Sequence, residues 1–475
     1  MLTSLVTSAA RVAPCYLRCC SSKASLIPRI AEELRLYING LGDSGEPVVR
    51  LKSPEQLDAI FSANGVGFGL ENQGTRSVVI YITTCTLSFE ILQTIVTNCQ
   101  DSPLQQCCVR HFPCAGALDD DALVEAVKLV LKYSVRTGHP LFLNQLYSQA
   151  DEVSILGDWV SASTNTNAHT FEVAPVYAMI EAALIQKVAS LLGGRYQDEA
   201  DGLFVPGGSL SNLYGMHLAR NRVCPDFATK GAGGQTHVAF TSDQSHYSYL
   251  KSARLTGLGS DNLVCVPTDG HGRMIPEKLE QAILRSKSEG KVPFFVGSTA
   301  GTTVIGAFDP FEDINDICRS QGLWHHVDGC WGGSSLLSTK TQHLMRGIGQ
   351  VDSFAWNPHK MVGSALQTSC FMVPSASVLK ECNATNASYL FQPDKLYTQL
   401  DTGDKTIQCG RKTDMLKLWL QWKARGDEGL ARSVEHSFDL AQHTVDRMRE
   451  DPDAWVLVYP PSCTNVCFWY VQGID

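Results

Sequence analysis

Downstream of residue 118 the apolar positions fall into two periods. Leu123, Val127, Val130 and Leu131 recur at helical spacing behind Asp119, Asp120 and Asp121, which are N-cap candidates. A second helix is expected from about Val173 to Leu192, with Val176, Ile180, Leu184 and Val188 on one face and Gly193-Gly194 as its stop. Short apolar runs then alternate with helical stretches. His237–Thr241 and Leu263–Val266 read as strands, and Phe294–Gly297 reads as a buried strand after Pro293. Asp309-Pro310 is expected to cap a helix that turns Phe311, Ile314 and Ile317 inward and ends at Gly322. Leu323–Val327 reads as a strand stopped by Asp328, and Val351–Trp356 as one stopped by Asn357-Pro358. Repeated strand–helix–strand units predict an α/β fold, a mostly parallel sheet flanked by helices. Upstream the pattern weakens. Ile30, Leu34 and Ile38 have helical spacing, and residues 32–61 look helical in parts. Residues 65–116 show no sustained period despite the β-branched run Val78–Ile82 and the adjacent Cys107 and Cys108, so they read as an insertion, a loop, or a wrongly assembled stretch of the chain.

Composition narrows this picture. The chain has 475 residues, enough for two or three domains, with 44% hydrophobic and 18% charged residues, a globular balance. A formal net charge of −9 argues against holding a nucleic acid backbone by bulk charge. No run of 18 or more apolar residues is present; the best candidate, Ser77–Phe89, holds only 13 uncharged residues before Glu90, too short to span a membrane as a helix. The 17 cysteines contain no Cys-x-x-Cys pair, so free thiols are expected rather than a zinc ribbon or a disulfide scaffold. Residues 1–31 lack Asp and Glu but carry Arg11, Arg18, Lys23 and Arg29. That segment resembles a mitochondrial transit peptide, with an untargeted cytoplasmic extension as the alternative.

In a parallel sheet, chemistry gathers at the carboxyl ends of the strands. Four segments stand there: Ser242–His246, Thr299–Thr303, Asp328–Trp331 and Asn357–Lys360. Lys360 follows a buried strand, where desolvation frees an amine to attack a carbonyl; an exposed lysine is the bland alternative. Asp328 at a buried strand end calls for a cation, either a pyridinium nitrogen or a structural ion pair. His246 could stack on a flat ring or be a satisfied core residue. Gly207-Gly208-Ser209-Leu210-Ser211-Asn212 opens a helix, a ready anion site although many helices start this way. A lysine, a paired acid, an imidazole and an anion-binding helix start together suit pyridoxal 5′-phosphate. His325 and His326 are adjacent on a strand and point to opposite faces, so no shared metal site is expected.

The segments HPLFLNQLY, FEVAPVY, PGGSLSN, TSDQSHYS, TAGTTVIGAFDP, HVDGCWGG, SFAWNPHK, YLFQPDK, DTGDKTIQCGR and TNVCFWY occur in order between residues 118 and 475. In these the chain resembles the pyridoxal-phosphate-dependent group II amino acid decarboxylases, and within them the acidic-substrate branch of cysteine sulfinate, aspartate and glutamate decarboxylases. The resemblance implies a fold type I enzyme. Its expected parts are a possible transit segment at 1–30, an N-terminal segment at 31–146 with the atypical insert at 65–116, a large cofactor domain at 147–418, and an incomplete small C-terminal α/β domain at 419–475. It implies that Lys360 carries the cofactor as a Schiff base, that Asp328 pairs with the ring nitrogen, and that His246 stacks on the ring. The Leu210 N–H, Ser211, Asn357 and His359 would hold the phosphate or its surroundings, with Thr303 near the ring substituents. Gln145 would line the substrate pocket, and Tyr389 would return a proton to the substrate carbon after carbon dioxide leaves.

The chain departs from that family in three places. Gly329-Cys330 stands where the family has Ala-Ala, which puts the Cys330 thiol against the ring. The 65–116 stretch replaces a short linker. The family continues past Asp475, and its α-carboxylate arginine is expected beyond that residue. A cofactor-binding but catalytically impaired chain is therefore one alternative reading. Transamination or an oxidative decarboxylation is another, disfavoured by Tyr389. Tyr147 is bulky where glutamate decarboxylases tend to be small, which favours cysteine sulfinate (giving hypotaurine) or aspartate (giving β-alanine). One methylene is worth only about 1–3 kcal/mol, so glutamate (giving GABA) stays open. The expected partners are a small acidic amino acid and a second copy in a homodimer, with no nucleic acid and no membrane.

Overall fold

A computed structural model of the chain describes residues 26–41, 119–143, 145–231, 233–392, 394–395 and 397–471, with a few isolated positions between 45 and 109. The β-branched run at Val78–Ile82 lies outside the described residues. The chain divides into two compact units, Met1–Gln149 and Ala150–Asp475.

In the first unit, α1 (Leu26–Asn39) packs on α2 (Asp120–Tyr133). The Asp119 carboxylate caps α2 by accepting the Ala122 N–H at 2.8 Å. The buried line of α2 lies at Val124 and Leu129, and Val130, expected on the inner stripe, is exposed. Apolar residues surround most of this helix, so spacing alone does not select the inward line. Leu70–Glu71 and Cys108–Val109 form a two-residue antiparallel pair, β1 and β2.

The second unit opens with α3 (Glu152–Thr164) and α4 (Pro175–Leu192). Proline occupies the first turn of α4, where its missing N–H costs nothing. The expected Val176 is exposed there, while Ile180, Leu184 and Val188 are buried. By length and composition α4 could cross a membrane, but half of it is buried inside this unit, as in a soluble core helix.

Seven strands form the sheet: β3 (Asp201–Val205), β4 (His237–Ser242), β5 (Leu263–Val266), β6 (Val292–Thr299), β7 (Trp324–Gly329), β8 (Ser353–Trp356) and β9 (Ser369–Val373), in the order β3-β9-β8-β7-β6-β4-β5. Only β9 runs against the others, antiparallel to both β3 and β8. Alternate residues feed opposite layers. Val327, Phe354 and Trp356 pack towards α4 and the long helix α9 (Met415–Arg449), which breaks at Gly426. Leu203, Ala239 and Phe371 belong to a second core beneath α5 (Gly208–Val223) and α6 (Ser248–Leu255). Val238, Phe240 and Val296 join a third with α7 (Pro276–Ser288) and α8 (Phe311–Gln321). Burial on both faces explains why these strands read as unbroken apolar runs.

Several expected boundaries move: the strand expected at Phe294–Gly297 runs Val292–Thr299, and the one expected from Val351 starts at Ser353. Asp328 does not end β7; its backbone pairs in register with Thr299 and Ala355, so the strand runs on to Gly329. Asp309 does not cap α8. Its carboxylate is buried and accepts the N–H groups of Met274 (2.6 Å) and Thr299 (2.7 Å). Burial pushes that carboxyl up to about 7 despite these two bonds.

Candidate active site at the carboxyl edge of the sheet

Because β3 is parallel to β4, β6, β7 and β8, the segments after all five leave from one edge. A cavity of about 190 Å³ opens there. Its floor carries Asp328 from β7, 5% exposed. Burial would raise this carboxyl. The Lys360 charge and hydrogen bonds from Asn212 and Cys330 outweigh burial and hold it below the usual carboxylate range. The Asn212 Nδ2 donates to Asp328 Oδ2 at 2.7 Å, and the Cys330 N–H donates to Oδ1 at 3.0 Å. Lys360 lines the same cavity from the turn after β8, where its N–H donates to the Asn357 carbonyl at 3.0 Å.

His246 and Tyr247 form another part of the wall, with ring centroids 4.2 Å apart. The Ser248 N–H donates to His246 Nδ1 at 3.2 Å, which places the ring proton on Nε2. Burial lowers the His246 pKa and Asp328 opposes the shift, so the ring is neutral near pH 7.

Gly208 and Ser209 supply the first turn of α5 to the cavity. Their N–H groups have no carbonyl four residues back within the helix, so they are free donors at the positive end of its dipole. Leu210, expected to offer its N–H, instead donates it to the Gly207 carbonyl at 3.0 Å, because the first turn closes tightly. Gly207 has φ +97°, a conformation that glycine tolerates. A Cβ on Gly208 would run into Cys330 Sγ and lie 2.9 Å from Asn357 Nδ2, so the approach of α5 to the opposite wall requires glycine.

Other expected residues fall variously. Thr303, Cys330 and Asn357 line the cavity. Asn357 Oδ1 accepts a 2.7 Å bond from the Ser369 hydroxyl. Ser211 is fully buried outside the cavity lining, and its hydroxyl has no partner among the described residues. His359 does not line the cavity; the Thr368 N–H donates to its Nδ1 at 3.1 Å, and burial pushes it down to about 4. Tyr389 is 77% exposed and outside the lining. Gln145 and Tyr147 are exposed residues of the first unit. The sequence reading gave no role to Asn212, Trp331 or Gly301, which also line the cavity. Their one signal is position: Gly301 and Trp331 each lie two residues past a strand's carboxyl end, and Asn212 closes the glycine-rich start of α5.

Pyridoxal phosphate fits these residues. Among the described residues the buried Ser211 and Thr299 hydroxyls lack partners and two helix N–H groups are free, and an ionised carboxylate and an amine share the cavity. Ser211 and the first turn of α5 would hold the phosphate, Asp328 the ring nitrogen, and Lys360 the aldehyde carbon.

An open sheet with this edge chemistry defines the class of fold type I pyridoxal-phosphate enzymes. The pyridoxal-dependent decarboxylase conserved domain matches residues 114–471, and the chain belongs to that family. It is 47% identical over 352 residues to human cysteine sulfinic acid decarboxylase, covering 74% of this chain and 71% of the relative. Glutamate decarboxylase of Drosophila melanogaster is 45% identical over 359 residues, covering 75% and 70%. The crystal structure of mouse CSAD superposes with a TM-score of 0.80 at 37% identity, covering 94% of this chain and 82% of that one.

Proposed function

We propose that this chain removes the α-carboxylate of a short acidic amino acid, cysteine sulfinate or aspartate. The carrying observation is the cavity in which Lys360, the ionised Asp328 and the open first turn of α5 converge. When bound, the cofactor supplies the electron sink for the substrate α-carbon. The protein's own part is to hold charges and protons. Asp328 keeps a negative charge at neutral pH, opposite which a protonated ring nitrogen is stable. Neutral His246 offers a flat face and an Nε2 proton without adding charge. The Gly208 and Ser209 N–H groups and the Ser211 hydroxyl suit a phosphate dianion. Lys360 offers the attaching amine, and Tyr389 the proton delivered to carbon. The Tyr389 ring is 77% exposed, so delivery requires its segment to swing towards the cavity.

The similarity to human cysteine sulfinic acid decarboxylase supports a sulfinate substrate, and the similarity to a Drosophila glutamate decarboxylase supports glutamate as the second reading. A homodimer is part of the proposal, supported by the exposed apolar residues Trp159, Val160, Val176 and Met179 on α3 and α4. The test is amine production by the chain with pyridoxal phosphate, offered cysteine sulfinate, aspartate and glutamate in parallel, with Lys360→Ala as the blank. Turnover of the sulfinate or aspartate above glutamate, absent from the blank, is expected. Lysine-dependent cofactor absorption without amine from any substrate would sink the proposal.

A further inference from the structure

The loop that leaves β6 is a tight turn. The Gly301 and Thr302 N–H groups both donate to the Ala307 carbonyl at 2.9 Å, and the Gly306 N–H donates to Thr302 at 2.9 Å. The carbonyls of Thr303 and Val304 at its tip are not used by the turn. Both accept the Asn465 side-chain Nδ2, each at 3.1 Å. The Oδ1 of the same amide accepts the Trp331 indole N–H at 2.7 Å. Thr303 and Trp331 each line the cavity with Lys360, and they come from the ends of different strands. The contact is close: a Cβ on Gly306 would lie 2.8 Å from both Asn465 Oδ1 and Cys463 Cβ.

An asparagine in a loop ordinarily satisfies its own turn or water. Asn465 instead uses both of its donor hydrogens and an acceptor on two separate wall segments. We propose that Asn465 is a positioning residue that clamps the Thr303 loop to Trp331 and so fixes that wall of the cavity. The inference rests on the decarboxylase reading for its kinetic arm only.

The test compares the cofactor-loaded full chain with Asn465→Asp and Trp331→Phe. Asn465→Asp keeps the acceptor for Trp331 but sets a carboxylate oxygen against two carbonyls. Trp331→Phe keeps an aromatic ring and removes the donor together with part of the indole. In Asn465→Asp, hydrogen exchange at the Gly301, Thr302 and Gly306 amides is expected to quicken about tenfold, the loss of about two hydrogen bonds, while the rest of the chain exchanges as before. KM is expected to rise about tenfold with kcat changed less than about twofold. Trp331→Phe should move both readouts the same way by about threefold. Unchanged exchange in that loop, or exchange quickened throughout the molecule, overturns the clamp. A wild-type chain that forms no amine overturns the decarboxylase reading alone, because the exchange comparison needs no turnover.

Discussion

Asn212 sits where two hydrogen-bond chains meet. The Trp324 indole donates to Ser353 Oγ at 2.8 Å, and the Ser353 hydroxyl reaches His326 Nδ1 at 2.8 Å. Burial pushes His326 down to about 4, so its ring is neutral and its Nε2 proton points to Asn212 Oδ1 at 2.9 Å. The amide then donates onward to Asp328 and, at 2.8 Å, to Ser248 Oγ. Every donor in this series has one direction available, which orients the amide towards the carboxylate. Replacing Asn212 by Leu removes the donor and orphans the His326 N–H. We expect a loss of about 2–4 kcal/mol in urea unfolding at neutral pH. A carboxyl held low in the folded state stabilises above its unfolded value and loses that contribution as pH falls through the folded one. The Asn212→Leu penalty should therefore shrink below about pH 4; a penalty constant with pH would show that Asp328 does not depend on this donor.

At the scale of elements, the first turn of α5 makes the sharpest prediction. Gly208→Ala pushes a methyl into Cys330 and towards Asn357. Cofactor affinity is expected to fall at least about tenfold, read by quenching of the cofactor's fluorescence. Adding Cys330→Ala should restore much of it, because the collision is with the thiol. No recovery in the double variant would place the damage in the backbone of the turn. This element also marks what the sequence could convey. The exits of β6, β7 and β8 were legible because strands buried on both faces are apolar runs with abrupt polar ends. That Leu210 spends its N–H on Gly207 was not legible, since it depends on how tightly one turn closes. The reversal of β9 was equally hidden, because Ser369–Val373 is as apolar as its parallel neighbours. Asp309 looked like a cap for a local reason, yet contacts with Met274 and Thr299 claimed it. A larger cavity of about 500 Å³, lined by Arg195, Arg222 and Arg319, lies at the other edge of the sheet. Arg222 and Arg319 stand in the last turns of α5 and α8 and Arg195 just past α4, so these cations offset helix C-terminal dipoles.

The whole molecule carries its buried charges unevenly. Arg411 and Glu181, each almost fully buried, pair at 2.5 Å and tie α4 to β3 through the Phe204 N–H and carbonyl. Burial lowers His325 to about 3, and His326 and His359 to about 4. A histidine lowered in this way stays neutral when folded but takes a proton when unfolded, so stability falls as pH drops below about 6.5. Asp309, raised to about 7, works in the opposite direction between about pH 4 and 7. Three histidines against one carboxyl leave a net uptake of about two protons on unfolding. Urea unfolding should therefore weaken from pH 6 towards pH 5 by about 2–3 kcal/mol. Stability that is flat or rising over that interval would mean these imidazoles are protonated in place.

The odd strand of the sheet also constrains the order of events during synthesis. β9 lies between β3 and β8 although it follows both along the chain. The glycine turn after β3 and the lysine turn after β8 are thus spaced by a strand that leaves the ribosome after either of them. A nascent chain halted before Ser369 contains Gly208, Asp328 and Lys360 but not the strand that separates the first from the last. Cofactor capture becomes a late step of biogenesis, one that waits on a pairing of high sequence separation and the slow closure such pairings impose.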